Sequence, residues 1–227
     1  MMTKSILRLL LGLAGATGGL AGTITGTVRA VPPPAPPDQA GGGSYESRRY
    51  KFTEKIDYDH LRDFVVYIDQ PVPGAPPARS ESAAVTTQRD ASFDPHVLPI
   101  QVGMAVRWPN DDDIFHNVYA SSDVAEFDLG FYKKEKVPVQ KFDQVGRVDV
   151  FCAIHTKMHC IILVLPNPYF ATADAKGRFV IKDVPAGTYR LHAWHERIPG
   201  QTREVVVPAD GEVRVDFSLG VGQPPKS

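Results

Sequence analysis

The chain has 227 residues, a formal net charge of -1 and two cysteines. This charge balance, with no recognisable binding motif, excludes a basic nucleic-acid-binding domain. The length allows one large domain or two small ones. The 20 prolines, the 19 glycines and the scarcity of helical periodicity predict an all-β fold.

The first 21 residues have the pattern of an export signal. Lys4 and Arg8 make a positive start, residues 6–13 are apolar apart from Arg8, and Gly19 to Ala21 fits a cleavage site. The apolar stretch is short for a membrane span, and an uncleaved anchor is the alternative. We therefore expect a periplasmic protein with no membrane span in its mature chain.

Residues 22–82 contain two predicted strands on either side of a linker. Residues 22–29 alternate with a period of two, and residues 64–69 form an apolar run that ends before a proline-rich turn. The stretch between them is rich in proline and then in glycine, which predicts an extended and then flexible connection.

The clearest chemistry lies within residues 83–165. Cys152, His155 and Met158 follow residues 147–151, whose alternation predicts a strand that ends at the cysteine. Neighbours on a straight strand point to opposite faces, so the turn after the strand is what brings these side chains together.

His116 lies upstream, at the start of another predicted strand. With it, the donors are a thiolate, two imidazoles and a weak thioether, which together are the ligands of a blue-copper electron-transfer site. The soft sulfurs favour Cu(I), whereas the imidazoles suit both redox states.

The pattern Cys-x2-His-x2-Met after a strand, with His-Asn-Val upstream, resembles the cupredoxins, in particular the amicyanin type with its short ligand loop. The resemblance covers roughly residues 83–165. It implies a Greek-key β-sandwich that exchanges single electrons with a redox partner protein. It also implies one type 1 copper ion, bound by His116, Cys152, His155 and Met158.

The same resemblance gives roles to the neighbouring residues. It implies that Asn117 ties its strand to the ligand loop and donates its backbone N–H to the cysteine sulfur. It also implies that His155 reaches the surface through an apolar patch, with Ile154 and Thr156 beside it.

Two alternatives concern the ligands themselves. In an exported protein, two cysteines by default form a disulfide, here Cys152 with Cys160. We favour a copper ligand at Cys152 because a histidine and a thioether lie at ligand spacing, which leaves Cys160 as a small buried side chain. His159 is adjacent to Met158 and is the alternative axial ligand, but the loop spacing favours Met158.

The other polar clusters give weaker signals. Asp111 to Asp113 predicts a solvated turn, because the spaced oxygen ligands of a calcium loop are missing. The segment Trp194-His-Glu196 is a candidate second site, but nothing in the sequence fixes its partners. Four other histidines are expected to be structural: His96, His159, His192 and His195.

Residues 166–220 predict short strands, with turn signals at residues 174–177 and 185–187. This pattern resembles the carboxypeptidase regulatory-like, transthyretin-like β-sandwich, a structural or adhesive family. The strands predicted before residue 70 resemble its first elements, so the hypothesis is that the cupredoxin unit is inserted into this smaller sandwich. Residues 221–227 are expected to be a tail.

The expected function is that of an electron carrier and not an enzyme. The sequence has no haem-attachment motif, no phosphate-binding glycine loop, no nucleophile elbow and no His-x-His pair of a copper oxidase. The alternatives are a periplasmic copper-binding carrier or sensor and a structural β-sandwich interaction protein.

Overall fold

The computed structural model describes residues 21–32, 56–78 and 83–220, whose regular elements are all β-strands. The predicted all-β fold class is therefore confirmed. The signal pattern before Ala21, the glycine-rich linker and the tail lie outside the described residues. The strands are β1 Ala21–Ala30, β2 Val65–Ile68, β3 Ala84–Val85, β4 Thr87–Arg89, β5 Ser92–Asp94, β6 Val97–Gln101, β7 Ala105–Arg107, β8 His116–Ser121, β9 Glu126–Tyr132, β10 Val139–Lys141, β11 Gly146–Phe151, β12 His159–Leu165, β13 Phe170–Thr172, β14 Arg178–Pro185, β15 Gly187–Trp194, β16 Gln201–Val207, β17 Glu212–Arg214 and β18 Phe217–Leu219.

One sandwich, here called the outer sandwich, combines β1 and β2 with all the strands after β12. In one sheet β1 lies between β14 and β17, and its C-terminal half pairs with β18. In the facing sheet, β2 lies between β13 and β15, with β16 at the edge. The two sheets share one hydrophobic core. Each sheet has an inner strand from the N-terminal part of the chain, β1 in one and β2 in the other.

Strand β1 shows why this part of the sequence becomes a strand. Its buried positions alternate with partly exposed threonines, as the period of two predicts. Gly26 faces inward where the chain crosses from β17 to β18, and a Cβ at this position would lie 1.8 Å from the carbonyl oxygen of Val215. Only glycine allows this close approach.

The second sandwich, here called the inner sandwich, consists of the strands from β3 to β12. A five-stranded sheet has the order β6-β12-β11-β8-β9, and a three-stranded sheet has the order β10-β7-β3. The two sheets close over a core that includes Trp108, Phe142 and Ile162. The hairpin of β4 and β5 lies beside them.

Strand β12 joins the two sandwiches because both of its faces are buried. Cys160, Ile162 and Val164 belong to the core of the inner sandwich. Alternate residues of the strand instead enter a smaller apolar cluster with Val65 of β2 and Val97 of β6, which we call the seam; they are Ile161, Leu163 and Leu165. Burial of each large apolar side chain in the seam stabilises the contact by about 1.5–3 kcal/mol.

The chain enters and leaves the inner sandwich at neighbouring points. Leu165 at the end of β12 pairs with Gln101, and the Gln101 side-chain amide donates to the carbonyl oxygen of Pro76 at 3.0 Å. Adjacent ends are what an inserted domain requires. Among the described residues, no helix has the length and hydrophobicity of a membrane span.

This topology makes the insertion testable. A fragment of residues 167–220 lacks β1 and β2, the central strands of both outer sheets, and we expect it to remain unfolded. A chain in which a short Gly-Ser link replaces residues 83–165 retains those strands, and we expect it to fold. Circular dichroism and thermal unfolding distinguish the two, and cooperative unfolding of the 167–220 fragment alone would contradict the discontinuous arrangement.

Candidate metal centre

The four predicted ligands come from three places in the inner sandwich. His116 is the first residue of β8, and Cys152 follows directly after β11. His155 lies in the loop between β11 and β12, and Met158 ends that loop just before β12. Backbone bonds close the loop: Cys152 N–H donates to the Met158 carbonyl at 3.3 Å, and Met158 N–H donates to the His155 carbonyl at 2.8 Å.

The structure brings three of these residues into one cluster. The Nδ1 atoms of His116 and His155 are 3.0 Å apart, and the Cys152 sulfur lies 3.6 Å from Nδ1 of His155. One donor atom from each of the three lies within 4.8 Å of the others. Met158 is buried in the same hydrophobic core as Cys152.

The cluster is closed to solvent except at one ligand. His116, Cys152 and Met158 are 0%, 4% and 1% exposed, whereas His155 is partly exposed. The residues just before the two histidines, Phe115 and Ile154, have exposed apolar side chains. The site therefore has a single partly open edge, at His155, bordered in sequence by apolar residues.

The orientation of His116 is set by a carboxylate. Its Nε2 lies 2.8 Å from Oδ2 of Asp112. Because a carboxylate only accepts, Nε2 carries the hydrogen, and the lone pair of the neutral ring is at Nδ1, which faces His155. A carboxylate behind a histidine is the usual support of a metal ligand. The donor set and this tautomer fit a copper ion.

Asp112 also organises the neighbouring turn. Its carboxylate accepts the backbone N–H groups of Asp90 at 2.8 Å and Ala91 at 3.0 Å. Both residues have positive φ, 52° and 51°, a conformation that costs a non-glycine residue roughly 1–2 kcal/mol. Asp112 therefore offsets the strain of the β4–β5 turn and supports His116 through the same two oxygens.

The expectation of a solvated turn is wrong for Asp112. Asp111 pairs with Arg89 and Asp113 pairs with Lys134, and both aspartates are exposed. The Asp112 side chain, in contrast, is 16% exposed. Three consecutive aspartates look alike in the sequence, and only the fold shows which one points inward.

The pKa of Asp112 is lowered from its ordinary value of 3.8. Burial raises this pKa, but the hydrogen bonds from the Ala91 N–H, from His116 and from the Asp90 N–H together outweigh it. A lowered pKa means that the ionised carboxylate stabilises the fold at neutral pH, and that this contribution is lost as the pH falls through the folded-state pKa.

Asn117 links the upstream strand to the ligand loop through its side chain. Its Oδ1 accepts the Ala153 N–H at 2.8 Å, and its Nδ2 donates to Asp128 at 2.7 Å. Ala153 follows Cys152 directly, so the amide holds the cysteine end of the loop against β8.

The two cysteines are unpaired. In the β11–β12 hairpin, Cys160 lies opposite Val150, whereas Cys152 has already left the strand. Burial, followed by the charge of Asp149, holds the pKa of Cys160 well above its ordinary value, so this thiol stays neutral. Cys160 is a core side chain, and the disulfide alternative has no support in the fold.

The structure separates His159 from the metal cluster. Its Nε2 lies 2.7 Å from Oδ1 of Asp149, and its ring stacks on Phe151 with centroids 4.9 Å apart. His159 instead forms a second group with His96 and Glu196. The expectation that His96 and His159 are structural stays a prediction, although both residues belong to this candidate group. His192 contacts Thr202 at 2.7 Å, and His195 accepts the Arg197 N–H at 3.1 Å.

Comparison with known proteins gives partial similarities. The family model described as polysaccharide lyase family 4, domain II, matches residues 167–215. This is not the carboxypeptidase regulatory-like family that the turn pattern resembles. No curated protein matches the sequence.

Several similar solved structures are cupredoxins or copper proteins. A purple cupredoxin from Nitrosopumilus maritimus is 20% identical, over 36% of this chain and 98% of that one, with a TM-score of 0.33. A reduced Cu(I) amicyanin variant is 25% identical, over 44% and 97%, with a TM-score of 0.35. A copper-containing nitrite reductase from Thermus scotoductus is 25% identical, over 42% and 25%, with a TM-score of 0.36.

Asp112→Ala tests the support of His116. It leaves two backbone N–H groups and Nε2 of His116 without their acceptor, so we expect unfolding in urea to require about 1–3 kcal/mol less. Loss of the Asp112 carboxylate behind His116 should also weaken copper binding about 10–100-fold. Asp113→Ala is the matched control, because that side chain is 91% exposed. Equal effects of the two variants would contradict a role for Asp112.

Proposed function

We propose that this chain is an exported type 1 copper protein that carries single electrons between redox partners. The observation that carries the proposal is the convergence of His116, Cys152 and His155 at one end of the inner sandwich, with Met158 buried in the same core. The export pattern of the first 21 residues supports a periplasmic location.

The chemistry of the donors favours copper over other metals. A thiolate and a thioether are soft ligands that select copper, and two imidazoles suit both of its common oxidation states. A structural zinc site ordinarily has four strong ligands in a closed tetrahedron. Here the fourth candidate, Met158, is a weak thioether. Two histidines, a cysteine and a weak methionine are the ligand set of blue-copper electron-transfer sites.

The surroundings of the donors favour electron transfer over catalysis. A bound copper ion supplies a one-electron change without a bond being made or broken. Cys152, His116 and Met158 are buried, so a substrate has no open route to them. Asp112 and Asn117 hold the ligands from behind, which keeps their positions similar in both oxidation states.

His155 is the edge through which electrons would pass. It is the partly exposed ligand of the cluster, and the exposed side chain of Ile154 lies next to it in the loop. Because an apolar rim lets a partner approach closely without leaving buried charges unpaired, this face suits brief docking with a redox protein. The partner is expected to contact the inner sandwich at the loop that holds Ile154 and His155.

Addition of Cu(II) to the reduced protein should produce an intense blue thiolate-to-copper absorption band. Cys152→Ser should abolish the band, because a hydroxyl stays protonated and is a poor soft ligand. Cys160→Ala is the control, and it should keep the band because Cys160 faces the core. A colourless one-to-one copper complex of the native protein would instead favour a copper carrier or sensor.

Met158→Gln tests the axial ligand. A thioether stabilises the reduced state, so replacing it by an amide oxygen should lower the reduction potential while copper stays bound. His159→Ala is the control and should leave the potential nearly unchanged, because Asp149 and Phe151 hold that ring elsewhere. Voltammetry of both variants decides the assignment, and the opposite result would make His159 the axial ligand.

A further inference from the structure

A second group of donors lies where the two sandwiches meet. His96 precedes β6, His159 is the first residue of β12, and Glu196 follows β15 of the outer sandwich. One donor atom from each residue lies within 4.8 Å of the others. We call this group the junction cluster. It shares no residue with the cluster around Cys152.

The hydrogen bonds of His96 leave a lone pair facing a carboxylate. Its Nδ1 lies 3.1 Å from the carbonyl oxygen of His159, and because a carbonyl only accepts, Nδ1 carries the hydrogen. In the neutral ring the lone pair is then at Nε2. This atom lies 3.1 Å from both carboxylate oxygens of Glu196, so either a proton on Nε2, which makes an ion pair, or a bound metal ion has to lie between these acceptors.

The same logic applies to His159. Its Nε2 lies 2.7 Å from Oδ1 of Asp149, which only accepts, so the lone pair of the neutral ring is at Nδ1. Arg147 holds Asp149 in place through two hydrogen bonds of 2.6 and 2.9 Å. Phe151 stacks on the imidazole and limits its rotation.

Both histidines therefore have the support that metal-binding histidines ordinarily have. A ligating imidazole uses one nitrogen for the metal and donates from the other to a backbone carbonyl or a carboxylate. His96 has the carbonyl and His159 has the carboxylate. Sequence spacing conceals this, because His96 and Glu196 are 100 residues apart.

We propose that Nε2 of His96, Nδ1 of His159 and the Glu196 carboxylate bind one zinc ion at the junction of the two sandwiches. Two imidazoles and a carboxylate without sulfur suit zinc, and three protein ligands leave a fourth position for water. The side chains of His96 and Glu196 are 36% and 22% exposed, so water reaches the cluster. With zinc–ligand bonds of about 2.0–2.1 Å, a tetrahedral zinc ion holds its donor atoms roughly 3.3 Å apart. The three side chains therefore need only a small inward shift to bind it.

The bound ion would connect the two sandwiches. His96 and His159 belong to the inner sandwich and Glu196 to the outer one, so the ion adds coordinate bonds beside the apolar contacts of the seam. Trp194 already packs against the seam from the same end of β15. This site does not depend on the proposed function, because copper at Cys152 is not needed to fill it.

Equilibrium dialysis of the full chain against zinc tests the proposal. Native protein should bind one more zinc ion than Glu196→Gln, with the affinity of the junction cluster falling at least about 100-fold in the variant. Glu204→Gln, an exposed glutamate on β16, is the matched control and should behave as native protein. His96→Gln is a second variant in case the first disturbs folding, and far-ultraviolet circular dichroism checks both.

Cobalt as a substitute ion separates this site from the one at Cys152. Cobalt at the junction cluster should give d–d bands without a thiolate charge-transfer band. Glu196→Gln should remove the d–d bands of this site and leave the thiolate charge-transfer band of cobalt at Cys152 unchanged. Equal zinc stoichiometry in native protein and Glu196→Gln would overturn the proposal and leave His96 and Glu196 as a plain ion pair. Loss of the extra ion in Glu204→Gln would also overturn it. A protein that binds zinc here but forms no blue copper complex would refute the proposed function alone.

Discussion

The antiparallel pairing of β11 with β12 is the constraint on which the rest of the structure depends. The register places Phe151 opposite His159, so the last pair of the hairpin lies just before Cys152 and just after Met158. This pairing gathers three of the four candidate copper ligands into one short loop. The same register points alternate residues of β12 into the inner core and into the seam, so one pairing sets both the metal site and the union of the two sandwiches.

His116 and His159 are supported in the same way. Asp112 stands behind His116 and Asp149 stands behind His159, each at hydrogen-bonding distance from Nε2. In both cases the carboxylate fixes the tautomer, and it is itself held by other donors, backbone N–H groups for Asp112 and Arg147 for Asp149. A small all-β protein thus orients its imidazoles through neighbouring turns and strands without any helix in the described residues.

The sequence predicted what is local and missed what is distant. Alternation identified β1 and β11, and an apolar run identified β2. The spacing of Cys152, His155 and Met158 is informative because one loop holds all three. The inward turn of Asp112 depends on the β4–β5 hairpin, which lies about twenty residues earlier. The junction cluster depends on how two sandwiches meet, and a histidine and a glutamate 100 residues apart carry no common pattern. Periodicity reports burial along one strand and carries no information on which strands become neighbours.

The pairing of β1 has a consequence for how the protein is made. Thr27 of β1 bonds to Asp216, which follows 189 residues later, so the outer sandwich cannot close until nearly all of the described chain has been synthesised. The inner sandwich is complete once β12 has emerged. Its seam face, with Ile161 and Leu163, can then be covered by β2 but not yet by the later strands around Phe170 and Trp194. Contacts between distant segments form slowly, so the interval between the emergence of β12 and that of β18 is when this chain is most exposed to wrong association.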